Sequence, residues 1–363
     1  MSLAWRNLLR DKTRLGLSVT GVALAVMLIL ILNGFVSGMN AQVSAYLDHA
    51  PGSIALIQAG TGGASSVLPA DAADAARRVD GVASAVPVIV QWAVLDLGQT
   101  RQYVNVVGYD TAEGGGPWSL RAGHTPAADD EVVLDSQLAD QRGIRVGDTF
   151  AVMGHTFKVV GLSLDTRTWM ASYLFIRLAV AQQLFGAPGT ASMVLITPAQ
   201  GVTTGELLPR LGGISGADAE LKSQLIADQR KTYTAVFAGP TQLMAGIASL
   251  VGALVVGMIV YAATIERRRE YGVLKALGAR NRVLYQVVGT QALAAGMAGA
   301  LLGLVFAAGA ATLIMAVRPQ FLITVELHSG IFALVAGVGM AMVGALLPAR
   351  VLARVAPAEA LRR

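Results

Sequence analysis

The chain has 363 residues, of which 54% are hydrophobic and only 14% are charged. Soluble globular proteins carry about 25% charged residues, so this composition predicts a membrane protein. Cysteine is absent, which excludes a disulfide framework, a thiolate metal site and a cysteine nucleophile. The net charge of +5 is unevenly distributed, and its distribution carries information about topology.

Four windows without charged residues are long enough to cross a bilayer, which takes roughly 20 apolar residues. The apolar core of the first window is too long for a signal peptide and has no small-residue cleavage site after it, so we expect a retained anchor. The windows lie within Leu15–Leu47, Thr232–Ile265, Val283–Val317 and Leu327–Ala349.

Arginine and lysine predict the orientation of these spans. Basic residues exceed acidic ones in 1–14, 266–282 and 350–363, whereas 39–240 has 13 basic and 18 acidic residues, a balance of −5. The positive-inside rule therefore predicts cytoplasmic termini, a cytoplasmic 266–282 loop and a large domain outside. No basic–aromatic interleaving indicates a nucleic-acid partner.

The region between the first two spans alternates short strands and helices, which is typical of an α+β domain. Pro69 and Asp135 lie at predicted helix starts, and Gly143 and Gly186 at predicted helix ends. The predicted strands are 53–60, 85–97, 101–109, 148–154, 155–163 and 172–176, and the predicted helices are 69–79, 135–143 and 177–186.

The segment 221–244 is predicted to be helical down to Gly239 and Pro240. Because proline lacks an N–H and its ring disrupts the preceding turn, we expect a break or kink there, at the membrane surface. A helix that leads from the outer domain into the second span is expected to act as a stalk that couples the two.

The sequence lacks the motifs of familiar catalytic sites. There is no G-x-x-x-x-G-K-[ST] for ATP, and no G-x-S-x-G, H-E-x-x-H or EF-hand loop. The span interiors carry no Asp, Glu, Lys or Arg, so the proton-relay signature of secondary transporters is missing. His155 is predicted to be a surface or hairpin residue, and Asp129, Asp130 and Glu131 a solvated loop. We therefore expect a non-enzymatic chain with no catalytic, cofactor-binding or metal-binding residues.

Glycines punctuate the second, third and fourth spans, and Gly299 and Gly303 form a G-x-x-x-G pattern. Such a pattern lets helix backbones approach closely. The favoured interpretation is packing among spans two to four within one chain. The alternative is a homodimer seam, along the first and second spans.

The window 265–278 can form a short helix that ends at Gly278, with Val273, Leu274 and Leu277 on one side and charges around the remainder. Such a helix suits docking into a groove on another protein. The alternative is that its arginines anchor the loop at anionic headgroups.

The stretch ERRREYGVLKALGARNRVL, residues 266–284, resembles the E-R-x-x-E-[IY]-G-[IVL]-[LM]-[RK]-A-[LI]-G-[AM] pattern of the FtsX-like, MacB-type ABC transporter permeases. That family includes MacB, LolC/LolE and DevC/HrtB-type permeases. In the family this loop carries the coupling helix that inserts into a partner ATPase. The matching positions, and hence the implied ATPase-coupling residues, are Glu266, Arg267, Glu270, Tyr271, Gly272, Leu274, Lys275, Ala276, Leu277 and Gly278.

Three further stretches carry the same resemblance, in the order the family has them. Residues 4–26 are similar to the amphipathic entry helix and first span, and residues 346–363 to the P-A-x-x-A-x-x-x-P-x-x-A-L-R ending. Residues 120–162 look like the core of the outer domain, with His124 where arginine is commoner and Asp135 where glycine is commoner. The resemblance thus covers nearly the whole chain.

The resemblance and the hydropathy together predict an α-helical membrane protein with four transmembrane helices and a MacB-like α+β extracytoplasmic domain between the first and second. We expect it in the cell membrane, with both termini cytoplasmic. The predicted parts are an entry helix (1–14), a first transmembrane helix that extends outward (15–47), the extracytoplasmic domain (48–225), the stalk and second span (226–265), the coupling loop (266–282), the third span (283–317), a short outer loop (318–327), the fourth span (328–349) and a cytoplasmic tail (350–363).

The implied function is that of a permease subunit. Two copies of a separate ATPase would bind ATP and Mg, so no cofactor is expected on this chain itself. Its movement would pass through the stalk to the outer domain by mechanotransmission and export or extract an amphiphilic substrate. The implied partners are the ATPase, a second permease copy in a homodimer or related heterodimer, the lipid bilayer and, as an open possibility, a membrane-fusion protein. The alternative is an FtsX-like signalling protein that activates a cell-wall hydrolase.

The substrate is the least determined part of this interpretation. A lipid or lipoprotein, a macrolide-like drug, a peptide and haem all remain candidates. Four residues near the predicted outer face are candidate substrate contacts, although chance clustering at helix ends explains them as well. They are Met39, His49, Glu326 and His328.

Overall fold

The computed structural model describes the chain in two compact units. The helical unit comprises Met1–Gly38 and Val236–Arg363, and the sheet unit comprises Met39–Ala235. The described residues are 12–62, 66–69, 71–96, 101–168, 171–266, 281–318, 321–324 and 326–353.

Nine helices and twelve strands are formed by the described residues. The helices are α1 Lys12–Val43, α2 Ala45–His49, α3 Asp71–Arg77, α4 Ser136–Arg142, α5 Leu178–Leu184, α6 Thr204–Leu211, α7 Lys222–Glu266, α8 Asn281–Val317 and α9 Leu327–Ala353. The strands are β1 Ile54–Gln58, β2 Leu68–Pro69, β3 Val82–Asp96, β4 Arg101–Tyr109, β5 Leu120–Gly123, β6 Glu131–Asp135, β7 Thr149–Val152, β8 His155–Ser163, β9 Ser172–Arg177, β10 Thr190–Ala191, β11 Met193–Pro198 and β12 Ala217–Leu221.

The sheet unit is built on a mixed sheet of ten strands, as far as the described residues show it. The order is β12-β1-β11-β3-β4-β9-β6-β8-β5, and β7 pairs with both β3 and β8. Most neighbours are antiparallel, but β4 with β9 and β6 with β8 are parallel. The short strands β2 and β10 form a separate pair.

Both faces of this sheet are buried, because successive side chains of a strand point to opposite faces. On β4, Val104 and Val106 belong to one apolar cluster, which is covered by α4 and α5. Val107 and Tyr109 belong to a second cluster on the other face, together with Tyr46, Leu47 and Leu225 from the helices. The near-continuous apolar run at the end of β4 therefore reflects a strand buried on both sides.

The predicted helix at 135–143 is confirmed, together with both of its ends. Asp135 is the N-cap residue of α4, and its Oδ1 accepts a hydrogen bond from the Leu138 N–H at 2.9 Å. Gly143 follows the helix in the left-handed region, with φ of 71°. The start predicted at Pro69 is wrong, because Pro69 lies in β2 and α3 begins at Asp71.

The predicted hairpin around His155 is also confirmed. Strands β7 and β8 pair from Thr149 with Lys158 to Val152 with His155, and the His155 side chain is exposed. Met153 and Gly154, which join the strands, have φ of 48° and 86°. Two consecutive residues with positive φ are what a tight hairpin turn requires.

The helical unit contains four helices that are long and apolar enough to cross a membrane, among the residues that the structure describes. Their buried side chains are mostly alanine and valine, and large apolar side chains face outward. This pattern is expected in lipid, where helices associate through close packing of small residues. The candidate spans are Gly16–Val43, Gly239–Ala262, Tyr285–Val317 and Leu327–Val351.

Of the two outcomes predicted at Pro240, the break is wrong, because α7 continues through Pro240 to Glu266, and the kink stays a prediction. A proline removes one backbone hydrogen bond from a helix interior. In transmembrane helices this loss is tolerated, because neighbouring groups can satisfy the freed carbonyl. The helix therefore runs without interruption from the sheet unit into the second candidate span.

Candidate functional site

The helix junction of the sheet unit joins the C-terminal end of α1 and the short α2 to the first turns of α7. At its centre, Arg230 donates from Nε and Nη2 to the Ser44 hydroxyl at 2.9 and 2.7 Å, and from Nη2 to Asp48 Oδ2 at 2.9 Å. Ser44 itself donates to Asp48 Oδ2 at 2.7 Å and is fully buried. Ser44, which caps α2, thus forms one closed network with Asp48 of α2 and Arg230 of α7.

Further polar contacts lie on either side of this network. The Asn40 amide donates to Thr234 Oγ1 at 2.8 Å, and the Thr234 hydroxyl lies 3.0 Å from Asn40 Oδ1. At the sheet end, Lys222 Nζ donates to the Ala50 carbonyl oxygen at 2.6 Å. Burial lowers the pKa of the Lys222 amine, while the nearby Asp48 carboxylate opposes that shift.

The residues that form the junction are spaced four positions apart in each of its two segments. Residues three and four apart lie on one face of a helix, so Asn40, Ser44 and Asp48 form one row. The facing row on α7 is Lys222, Ile226, Arg230 and Thr234, in which Ile226 packs against the apolar cluster of the sheet. Two matched rows therefore hold the helices together along about three turns.

The strand β12 leads into α7 without a linker. Leu221 is the last residue of β12 and pairs with Ile54 of β1, and Lys222 is the first residue of α7. The Lys222 N–H donates to the Ser53 carbonyl oxygen at 2.9 Å, just before β1. Any displacement of the start of α7 therefore acts directly on the edge of the sheet.

Most of the predicted coupling helix lies outside the described residues. Glu266 is the last residue of α7 and is exposed. The assignment of the loop to ATPase docking stays a prediction from sequence. The residues outside the described ranges are Arg267, Glu270, Tyr271, Gly272, Leu274, Lys275, Ala276, Leu277 and Gly278.

The four candidate substrate contacts fall into different units. In the sheet unit, Met39 is buried, and the His49 ring stacks on Trp118 with centroids 4.5 Å apart. In the helical unit, His328 Nδ1 lies 3.0 Å from Glu326 Oε2. No group of three or more metal-ligating side chains comes together among the described residues. Within each unit the structure accounts for these residues by ordinary local contacts.

The G-x-x-x-G pattern of the third span serves packing within the chain, as predicted, but against a different helix. A Cβ on Gly299 would lie 2.6 Å from Val22 Cβ, and one on Gly303 would lie 2.8 Å from the Ala23 carbonyl oxygen. Both glycines contact the first span. The prediction that Gly299 and Gly303 pack against the second or fourth span is therefore wrong. Spans two and four meet instead at Gly257 and Gly344.

Comparison with known proteins identifies the chain. The model of the MacB-like periplasmic core domain matches residues 15–213, and the model of the FtsX-like permease C-terminal domain matches residues 243–357. The first match alone spans more than half of the chain. The chain belongs to the MacB/FtsX family of ABC transporter permeases. The predicted family and fold class are therefore confirmed.

Relatives in two organisms are named ABC transporter permeases. The permease is 25% identical over 312 residues to a protein named as an ABC transporter permease in Mycobacterium tuberculosis, with 84% of each chain covered. It is 28% identical over 238 residues to one in Methanocaldococcus jannaschii, covering 61% of this chain and 58% of the relative.

Two solved domains are also similar to part of the permease. The periplasmic region of MacB from Actinobacillus actinomycetemcomitans aligns with a TM-score of 0.39 and 16% identity, over 49% of this chain and 93% of that one. The extracellular domain of YknZ, an ABC-type transporter from Gram-positive bacteria, aligns with a TM-score of 0.37 and 13% identity, over 46% and 99%.

Membership of this family has direct consequences. The permease is a multi-pass membrane protein with a large extracytoplasmic domain, which is the sheet unit between the first two spans. An ABC transporter permease implies an ATPase partner. The helix junction thus lies in the part of the chain that joins the extracytoplasmic domain to its spans.

Sequence reasoning predicted the stalk but not the residues that hold it. The helix 221–244 was expected, and the spacing of Lys222, Ile226, Arg230 and Thr234 within it can be read from the sequence. Their partners come from residues 40–50, about 180 positions earlier in the chain. Without that long-range pairing, a four-residue spacing of polar side chains indicates only a solvated helix face.

Proposed function

We propose that the permease transmits movement driven by a separate ATPase to its extracytoplasmic domain and thereby exports or extracts an amphiphilic substrate. The observation that carries the proposal is the helix junction. It joins the end of α1 to the first turns of α7 beside the sheet, and the same two helices contain the first and second candidate spans.

The continuity of α7 supports mechanical transmission. Its 45 residues correspond to about 68 Å at 1.5 Å per residue. One end passes directly into β12, and the other ends at Glu266, the first residue of the proposed coupling loop. A displacement at Glu266 would therefore reach the sheet through a single helix, without an intervening loop to absorb it.

Docking of the ATPase is assigned to residues 266–278. The apolar side chains Leu274 and Leu277 of each permease copy would enter a groove on one ATPase subunit. The two ATPase subunits bind ATP and Mg. This assignment places both termini of the permease and the loop in the cytoplasm, in agreement with the excess of basic residues there.

Substitution of the two leucines tests the docking assignment. Leu274→Asp or Leu277→Asp, in nanodiscs with the cognate ATPase, should abolish permease-stimulated ATP turnover because a carboxylate would be desolvated in the groove. Val146→Asp, at an exposed position of the sheet unit, is the matched control and should leave turnover unchanged. Normal turnover in both leucine variants, at wild-type expression, would remove this loop from the mechanism.

A homodimer is proposed along the second span. Large apolar side chains are exposed on α7 at spacings of four, three and four residues, namely Leu243, Ile247, Leu250 and Leu254. This is the spacing of residues that interlock between two packed helices.

Crosslinking distinguishes this seam from a face covered by lipid. The chain has no cysteine, so Leu250→Cys introduces a single thiol. Oxidation in membranes should produce a covalent dimer. Ile331→Cys, which is similarly exposed on the fourth span, should remain monomeric. Equal crosslinking at both positions, or none at Leu250→Cys, would contradict the seam.

A further inference from the structure

A cavity of about 670 Å³ lies within the sheet unit, beside the helix junction. Pockets that bind small molecules typically measure about 300–1,000 Å³. Its floor is the sheet face formed by β3, β4, β9 and β11, and its walls are the end of α1, the short α2 and the first turns of α7. The cavity therefore lies between the sheet and the two helices that lead to the membrane.

The floor of the cavity combines aromatic and amide groups. Trp92 of β3 and Asn105 of β4 are directly opposite each other in the antiparallel pair, so their side chains share one face. Asn105 is only 7% exposed, whereas the Trp92 indole is 48% exposed. Tyr173 and Met193 from the neighbouring strands extend this floor. The polar amide is thus placed among rings and apolar side chains.

The walls belong to the same helix turns as the junction. Val43 and Leu47 contribute apolar side chains from the first helix pair. Thr232 and Tyr233 of α7 line the opposite wall, between the junction residues Arg230 and Thr234. A molecule in the cavity would therefore contact both helices that the junction joins.

The charge of the lining is one-sided. Among the described residues that line the cavity, Asp228 is the sole charged one, and no lysine, arginine or histidine is found with it. Burial and the negative charges of Asp228 and Asp218 raise the pKa of the nearby Glu220 carboxyl. An anionic ligand would lose its hydration here without gaining a positive partner. A cation, in contrast, would meet Asp228 and the faces of aromatic rings.

We propose that this cavity binds a cationic amphiphile, whose apolar body lies on the Trp92 and Tyr173 rings and whose positive charge lies toward Asp228. This inference rests on the proposed export function, since it specifies the substrate class for that transport. Haem does not fit this cavity, because haem carries two carboxylates. In addition, neither Met39 nor His49 lines the cavity.

Binding of two ions with matched size and opposite charge tests the proposal. Tetraphenylphosphonium and tetraphenylborate are close in shape, so a difference between them reports charge selectivity. Equilibrium dialysis of the full-length permease in nanodiscs, with empty nanodiscs subtracted, measures both. We expect saturable binding of about one phosphonium per chain and at least tenfold weaker binding of the borate.

Two variants locate the binding. Asp228→Asn should weaken phosphonium binding about tenfold, and Trp92→Ala should weaken it by a similar factor, because the ring on which the apolar body lies is lost. Asp71→Asn is the control for a carboxylate elsewhere, since Asp71 is exposed at the start of α3. Equal binding of both ions, or unchanged phosphonium binding in both cavity variants, would overturn the proposal.

Dialysis without ATPase or nucleotide separates this inference from the proposed function. Loss of turnover in Leu274→Asp together with absent phosphonium binding would contradict the proposed ligand of the cavity and still support the coupling mechanism. Selective phosphonium binding together with normal turnover in Leu274→Asp and Leu277→Asp would support the binding cavity and contradict the proposed docking loop.

Discussion

The sheet unit and the helical unit solve the same packing problem with different side chains. The core of the sheet unit is made of large or β-branched residues such as Phe175, Leu134 and Val159. The helical unit is packed mainly through alanine, valine and glycine, and many of its larger apolar residues, such as Leu250 and Leu301, face outward. Large apolar side chains are therefore buried in the sheet unit, whereas many of them are exposed in the helical unit.

The difference follows from the solvent around each unit. In water, burial of large apolar side chains is the main stabilising contribution, so bulk belongs inside. In lipid that contribution between helices disappears, and close backbone approach and dispersion take its place. The sheet unit should therefore be sensitive to the removal of atoms, and the helical unit to their addition.

Truncation of a buried ring tests the first half of this comparison. Phe175 is fully buried and contacts the rings of Tyr109, Trp118 and Tyr173. Phe175→Ala should destabilise the sheet unit by about 3–5 kcal/mol, because it creates a cavity that neighbours fill only partly. Proteolysis of the sheet unit during thermal unfolding measures the change. Tyr103→Ala, at a 59% exposed ring, should change stability by less than about 0.5 kcal/mol.

Addition of atoms at a helix crossing tests the second half. A Cβ on Gly344 would collide with the Ala253 carbonyl oxygen of α7. Gly344→Val should therefore cost about 1–3 kcal/mol or more, seen as a lower midpoint of thermal aggregation in detergent. On the same helix, a Cβ on Gly339 meets open space. Gly339→Val should leave the midpoint unchanged, and equal loss in both variants would contradict close packing as the cause.

The buried cap of α4 predicts a smaller and pH-dependent effect. Burial raises the pKa of Asp135, although hydrogen bonds from Leu138 and Thr166 oppose the shift. A carboxyl whose folded pKa is raised loses stability as the pH rises from its unfolded value, about 4, through its folded value. Asp135→Asn retains a capping oxygen and removes the charge, so its melting temperature relative to wild type should rise across that window.

Loss of the cap itself separates charge from hydrogen bonding at the same position. Asp135→Ala leaves the Leu138 N–H and Thr166 hydroxyl without their acceptor and should cost about 1 kcal/mol. Melting curves of the three proteins between pH 4 and 8 measure both effects. A pH-independent difference between wild type and Asp135→Asn would contradict the raised pKa.

The junction should show the smallest change in stability and a large change in coupling. Arg230 and Asp48 are 42% and 38% exposed, and exposed ion pairs contribute about 0–1 kcal/mol. Arg230→Ala should therefore lower stability by no more than about 1 kcal/mol, while transport per ATP hydrolysed falls. Lys231→Ala, at the next and exposed position of α7, is the control. Unchanged transport in Arg230→Ala would contradict the junction's role.

The sequence allowed the family, the spans and the longest strands to be predicted, because hydropathy and local motifs carry them, whereas the interior strands β6 and β11 were not predicted. Helix α6 was missed although Thr203 and Glu206 form a capping box, a signal that can be read from the sequence. The continuation of α7 through Pro240 was not predicted, since tertiary contacts decide whether a proline interrupts a helix. The junction and the cavity depend on pairings between residues far apart in the chain, which the sequence by itself does not reveal.

The central claim is that the extracytoplasmic domain moves when the partner ATPase binds ATP. His155 lies at an exposed hairpin of that domain, and the chain has no cysteine, so His155→Cys carries one spin label per copy. Pulsed electron–electron distance measurements in nanodiscs with the ATPase then compare nucleotide-free and ATP-bound states. The account predicts a label-to-label distance that shifts with ATP in the wild-type background and does not shift in Leu274→Asp. An unchanged distance at normal ATP turnover would contradict mechanotransmission.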